Sequence, residues 1–510
     1  MNIFPGRLLI KCGNGDDLTT ELTPLPIHYD IEPFTRYLII THDNFYEKVL
    51  PLADWKTRKG LYTKVVKTSS LGAVLDTSHI RKCIRDNFNA SHGFLSYVLL
   101  VGDAPDYVPT CRGSEHPFTL VGISGEPHEP NPATDLYYAT IIGDDFFPDL
   151  YVGRLPVKTA TEAETVINKI LSYEMHPDTA TNWPIEVLLA TAYEAQRTFI
   201  DLTFWIRDLL LSNARIPHII IDSLPTDPHI TDSVVNRINR GVGIVHHYDH
   251  GNSHNGLNAN PDPAEGWKHP PFVVDDIPAL HNGAEQPVMF SMNCRSGWYD
   301  GTMHDCHGEA LLKASGKGVV GFIGSSRVSF DGYADELSRG IWESLYPVYD
   351  GDLLLGPKYC LGELLNNGKL SMYNNFIYTE GAGYTEGWYV PQKDTISMEE
   401  FNLLGDPEMP VLTHKAYPLK VSHPRSITPA TTRMTARAYQ ETRIGGYYER
   451  WPVQGARVCL YQDDYIYSVD YTDSDGYVRF DRLAPSAGTV LITVTRHNYY
   501  PYLNDITVRP

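Results

Sequence analysis

Hydrophobic positions along this chain fall into short continuous runs separated by polar segments that suit helices. Tyr37 to Thr41, Ser96 to Asp103, Glu186 to Thr191, His218 to Ile221, Gly243 to Tyr248, Pro287 to Asn293 and Gly318 to Gly324 are the clearest runs. Runs of this length, rich in Val, Ile and Leu and bounded by Gly or polar residues, predict strands buried on both faces of a parallel sheet. A further strand is expected at Leu61 to Val66. Between the runs, helices are expected at 44–59, 79–87, 198–212, 231–240, 308–315 and 337–345. The alternation of strand and helix implies right-handed crossovers in an α/β fold. One helix carries its own start signal: Thr159 followed by Glu162 is a capping box ahead of the stripe Val166, Ile167, Ile170 and Leu171. The stretch from Asp135 to Pro156 reads as two short strands around an acidic turn.

Past about Ala416 the period changes. Val453 to Tyr461, Tyr477 to Phe480 and Thr489 to Thr495 alternate as strands, with a turn at Asp473-Ser474-Asp475-Gly476. This predicts a C-terminal immunoglobulin-like β-sandwich. The organisation expected is a lead-in at 1–34 compatible with a prosegment, an N-terminal α/β subdomain at 35–180, a catalytic α/β subdomain at 181–415 and the sandwich at 416–510.

Composition narrows the function classes. The 510 residues carry 42 basic and 62 acidic side chains, a net charge of −20. That balance excludes the basic footprint of a nucleic-acid binder. No apolar run is long enough for a transmembrane span, and Met1 to Gly15 shows no signal peptide. The seven cysteines include no C-x-x-C pair, so neither zinc-site spacing nor a disulfide scaffold is indicated.

Two of the apolar runs stop at reactive side chains, one at His250 and the other at Cys294. In open α/β sheets chemistry collects beyond the carboxyl ends of the strands, so a thiol and an imidazole at neighbouring strand ends form a nucleophile and its base. Glu194, after the run ending at Thr191, is placed to orient the imidazole. Gly251 lets its backbone N–H approach an oxyanion together with the N–H of Cys294. A different chemistry is also open: His247, Asp249 and His250 form part of a metal-hydrolase pattern, whose first His is replaced by Val245. A third reading is a non-catalytic surface binding protein.

The stretches Val245 to Gly251 and Phe290 to Cys294 resemble the His-Gly and Cys motifs of the gingipain family, cysteine endopeptidases of the caspase and legumain clan. Tyr97 to Asp103, Asp149 to Pro156, Gly308 to Ala310, Val320 to Ser326 and Asn402 to Pro407 are similar to that family in the same order. The resemblance implies a caspase-like catalytic unit acting on protein or peptide substrates, with Cys294 as nucleophile, His250 as proton shuttle and Glu194 as the acidic third member. It also implies a secreted or cell-surface setting, no cofactor for the chemistry, and a structural calcium ion that the acidic turns permit. The chain departs from the family at Tyr248 and Asp249, where small residues are expected; both are candidates for the wall of the S1 pocket. The family's S1 acid falls near Ala334, flanked here by Asp331 and Asp335, which favours a basic P1 residue. Arg295 and Arg327 are the candidates for an acidic P1 instead. The P1 preference, metal content and oligomeric state stay open at this level.

Overall fold

The computed structural model describes residues 3–4, 7–8, 33–115, 130–178, 181–191, 198–212, 220–223, 230–253, 264–301, 304–347, 356–379, 393–444 and 447–510. Glu194 and nearly all of the lead-in lie outside these residues. Ten strands make one continuous sheet. In chain order they are β1 (Tyr37–Thr41), β2 (Thr63–Lys67), β3 (Tyr97–Val101), β4 (Tyr151–Leu155), β5 (Val187–Thr191), β6 (Ile220–Ser223), β7 (Ile244–Tyr248), β8 (Val288–Met292), β9 (Gly321–Ser325) and β10 (Phe401–Leu404). Their order across the sheet is β6-β5-β7-β8-β9-β10-β4-β3-β1-β2.

All neighbours pair parallel except β9 and β10, which are antiparallel. The sheet is therefore two parallel five-stranded halves running in opposite directions and joined at the β9–β10 seam. The mainly parallel α/β architecture is as expected, with the strands of both expected subdomains joined in one sheet. One boundary moves: β10 comes from the end of the 181–415 segment yet runs with the N-terminal strands. A second correction concerns Leu136–Ala139, a single helical turn rather than a strand; four apolar residues are too few for their spacing to separate the two. The capping box is present as read, with Thr159 Oγ1 accepting from the Glu162 N–H and Glu162 reaching back to the Thr159 N–H.

Every residue of β7 and β8 is buried, as both-face coverage requires. Each such Val, Ile or Phe contributes about 1.5–3 kcal/mol relative to exposure. The sheet core is continuous across both halves, from Tyr37 and Leu99 to Val245 and Phe290.

The C-terminal region is a two-sheet sandwich. One sheet is formed by Lys420–Ser422, Arg433–Ile444, Tyr447–Pro452 and Tyr477–Asp481. The other is formed by Ser426–Ile427, Tyr502–Val508, Gly488–Thr495, Arg457–Gln462 and Ile466–Tyr471. Met434, Ala436, Val478 and Phe480 from the first sheet share a core with Val458, Leu460, Ile492 and Ile506 from the second. The sandwich docks on the helix Tyr46–Arg58, where Tyr467 Oη donates to the Thr57 carbonyl (3.2 Å).

Beneath that contact lies a buried charge cluster. Lys56 Nζ sits 2.5 Å from Glu174, 2.6 Å from Asp406 and 2.7 Å from Glu408; Lys59 bonds Glu174 and Glu408; and Arg457 of the sandwich lies 3.8 Å from Glu408. Three cations face three carboxylates, the balance that makes such burial tolerable.

Candidate active site

The β7–β8 ladder places Ile244 opposite Val288 and Tyr248 opposite Met292. His250 and Cys294 each lie two residues past the end of this in-register pair, so they leave adjacent strands at the same level, at the carboxyl edge of their half-sheet. The strand register thus brings the two chains side by side up to the residues just before His250 and Cys294.

Cys294 opens a tight turn, Cys294 to Gly297, that folds back on the end of β9. Arg295 adopts a left-handed backbone (φ 61°). The N–H of Arg295 donates to the Arg327 carbonyl and that of Gly297 to the Ser325 carbonyl, both at 2.8 Å. A side chain at Gly297 would place its Cβ 2.9 Å from the Gly324 carbonyl oxygen, so only glycine lets the turn lie this close. Cys294 Sγ lies 3.8 Å from Ser329 Oγ. Burial pushes the thiol up to about 11, partly offset by hydrogen bonds from Ser329. At neutral pH the resting sulfur is therefore protonated and needs a base at the moment of attack. His250 is half-buried, its ring edge-on to Phe199 at 5.3 Å. After it the chain enters a small antiparallel sheet, Gly251–Ser253 against Ala264–Trp267, with Gly251 opposite Trp267.

The specificity candidates separate by burial. Arg327 is 1% exposed. Its Nη1 and Nη2 each donate to Asp300 at 2.8 Å, and its Nε donates to the Pro130 carbonyl at 3.0 Å. Its guanidinium also stacks on Trp298. It is internally paired and therefore does not read substrate, which corrects that candidacy. Burial pushes the Asp300 carboxyl up, but Arg327 and Arg112 outweigh it and hold the group below the usual range.

Asp249 is also corrected: its side chain is fully buried, with Oδ2 3.0 Å from His269 Nδ1. Tyr248 is 2% exposed and packs edge-to-face on Phe199 at 4.6 Å, so it forms core rather than pocket wall. Arg295 is nearly buried, its guanidinium 5.7 Å from the Trp298 ring. Asp331 is exposed in the loop that also carries Ser329, and Asp335 is half-buried in the first turn of the helix Tyr333–Leu345. Burial pushes the Asp335 carboxyl up to about 6.

The metal reading fails on the same geometry. Strand alternation sends His247 to one face and His246 and Tyr248 to the other. His247 has both ring nitrogens engaged: Nδ1 accepts from Asn293 Nδ2 (2.9 Å) and Nε2 donates to the His269 carbonyl (3.2 Å), while the ring stacks on Trp267 at 4.0 Å. Among the described residues no group of three His, Cys, Asp or Glu is placed to hold a metal ion. The acidic turns expected to suit calcium spend their carboxylates on backbone: Asp149 Oδ2 accepts from the N–H groups of Ile141 and Ile142, and Asp473 Oδ1 from those of Asp475 and Tyr477. Ser329, His269 and Trp267 carry no motif and were not legible from sequence as part of the site; Asn293 lies within the Phe290 to Cys294 motif, but its bond to His247 was not legible.

Residues 32–412 match the family model described as Peptidase family C25. The chain belongs to this family. C25 is the family of the gingipains, cysteine peptidases, and curated relatives agree. The chain is 21% identical to Lys-gingipain of Porphyromonas gingivalis over 92% of its own length and 25% of that protein's. It is 20% identical to gingipain R2 of the same organism over 93% of its length and 57% of that protein's. The chain thus spans between a quarter and about three-fifths of these relatives. The crystal structure of the Arg-specific cysteine proteinase gingipain R superposes with a TM-score of 0.75 at 19% identity, covering 94% of this chain and all of that one. The complex of the RgpB pro- and mature domains superposes with a TM-score of 0.74 at 20% identity, covering 93% of this chain and all of that one. At these identities the superpositions establish a shared fold.

Proposed function

We propose that the protein is a cysteine endopeptidase in which Cys294 is the nucleophile and His250 its base. The observation that carries this reading is the β7–β8 register, which leads both residues off adjacent strand ends in a chain of the C25 family. His250 takes the proton from the half-buried thiol as Cys294 Sγ attacks the scissile carbonyl. The N–H groups of Gly251 and Cys294 receive the developing oxyanion. His250 then protonates the leaving amine, and water hydrolyses the thioester. Glu194 is assigned the orienting carboxylate. No cofactor enters these steps.

A basic P1 residue is the preference supported best. With Arg327 neutralised by Asp300, the charged candidates nearest the surface are Asp331 and Asp335. The printed names of the relatives, Lys-gingipain and an Arg-specific gingipain, agree with a cationic side chain in S1. The sandwich, immunoglobulin-like in its two sheets, serves as a packing or attachment module. A secreted or cell-surface setting follows the resemblance; among the described residues no helix is long and apolar enough to cross a membrane.

A fluorogenic peptide panel with Lys, Arg, Asp and Asn at P1, run on wild type and Cys294→Ala, tests the reading. Turnover of the Lys and Arg peptides by wild type alone is expected. Equal turnover by both proteins overturns the nucleophile assignment, and no turnover by wild type favours the non-catalytic alternative.

A further inference from the structure

The β7–β8 ladder stops at Tyr248 and Met292, two residues short of the groups proposed to react. Beyond it the two chains part. Gly251 leaves into the small antiparallel sheet, and Arg295 turns with a positive φ toward β9. Register within the ladder therefore cannot by itself fix how the two side chains meet.

One three-residue corner, Trp267-Lys268-His269, bonds to both departing segments. On the nucleophile side, Asn293 precedes Cys294 and donates to His247, whose opposite ring nitrogen donates to the His269 carbonyl. Trp267 stacks flat on that imidazole (3° between planes), and its Nε1 donates to Ser291 Oγ (3.0 Å). On the base side, the Lys268 N–H donates to the His250 carbonyl (3.0 Å), and the His269 ring lies 3.0 Å from the carboxylate of Asp249, the residue before His250. His247, Trp267 and Asn293 are all at most 1% exposed, so the bonds of the nucleophile arm are shielded from water.

We propose that this corner is the positioning element that holds Cys294 and His250 in alignment, with His269 as the residue that joins its two arms. The proposal rests on the cysteine-endopeptidase reading and adds a specific determinant to it. His269 touches no reacting atom and acts only through Asp249 and His247. Its side chain is 47% exposed, so it can be replaced without opening a cavity in the core. Removing the ring takes away the contact to Asp249 and leaves the base arm held by the Lys268 N–H alone on that corner. Misplacement of a base by about 1 Å is enough to lower rates up to about 100-fold.

The test compares wild type, His269→Ala and His269→Gln on the best P1 peptide, with rates normalised to sites titrated by an irreversible thiol-directed peptide inhibitor. The proposal expects kcat to fall about tenfold or more in His269→Ala with KM within about twofold, and the Gln variant, which keeps an N–H for Asp249, to recover most of the loss. It is overturned if kcat per titrated site is unchanged in His269→Ala, or if Gln and Ala lose equally. Failure of the peptidase reading looks different: the wild-type protein neither turns over peptide nor takes the inhibitor at Cys294, and the proposal falls with it.

Discussion

Arg327→Met decides whether the guanidinium beside the nucleophile reads substrate or holds the fold. In the structure Arg327 is 1% exposed, makes two 2.8 Å contacts with Asp300, and donates to the carbonyls of Pro130 and Ser326. Removing it leaves the Asp300 carboxylate, 2% exposed, with the half-exposed Arg112 as its remaining cation. Breaking one side of a buried pair costs about 3–5 kcal/mol, and Arg112 keeps the loss near the lower end, about 3 kcal/mol. A unit of roughly 380 residues unfolds with an entropy of about 0.8 kcal/mol/K, so Tm should drop by about 4 °C. The pH dependence has a definite sign. Asp300 has a folded pKa below its ordinary value, so its stabilisation is present above the ordinary carboxylate range and is lost as pH falls through the folded value. The deficit of Arg327→Met should therefore shrink in acid. Asp300→Leu combined with Arg327→Met should recover part of the loss, since no charge is then stranded. Calorimetry and urea unfolding near neutral and acidic pH measure this. The reasoning is refuted if Arg327→Met keeps wild-type Tm while turnover of an acidic-P1 peptide disappears.

Three further outcomes follow from the same structure. Because burial holds Cys294 up at about 11, alkylation of the resting enzyme by iodoacetamide should climb steadily above about pH 8; a plateau already established near pH 5 would contradict a protonated thiol. Because Asp335 ionises only above about 6, KM for a P1 lysine peptide should rise as pH is lowered through 6, and Asp335→Asn should abolish that dependence; an unchanged profile removes Asp335 from S1. Lys56→Met leaves Asp406 without its cation beneath the sandwich contact, with Glu174 and Glu408 still paired to Lys59, and should cost about 3 kcal/mol in urea unfolding while leaving kcat per folded molecule intact.

What could be read from the sequence was whatever local pattern determines. Tyr97–Val101, Ile244–Tyr248 and Val288–Met292 are strands because strands buried on both faces need unbroken apolar runs, and His250 and Cys294 follow because chemistry sits where such strands end. The reversal at the β9–β10 seam was not legible. Phe401–Leu404 is a four-residue strand interrupted by Asn402, whose amide accepts from the distant Asp135 N–H and donates to the distant Ala133 carbonyl as well as to the nearby carbonyls of Glu399 and Glu400. The helix Leu361–Thr379 was missed as well, its sequence carrying Gly and Asn at interior positions. Charged residues beside the nucleophile were misjudged for a single reason. Sequence proximity to Cys294 or His250 does not tell an exposed carboxylate such as Asp331 from Asp249 or Arg327, whose partners His269 and Asp300 lie 20 or more positions away. His269 carries no motif and the bond of Asn293 to His247 could not be read from the Cys motif, because both parts are set by a tertiary corner.

The central claim, that Cys294 attacks with His250 as its base, is tested most directly by mapping the adduct of a peptidyl acyloxymethyl ketone bearing lysine at P1. Tandem mass spectrometry should find the label on Cys294 alone in the wild-type protein, with the labelling rate falling at least about 100-fold in His250→Ala. Labelling at another cysteine, or an undiminished rate without the imidazole, would contradict the account.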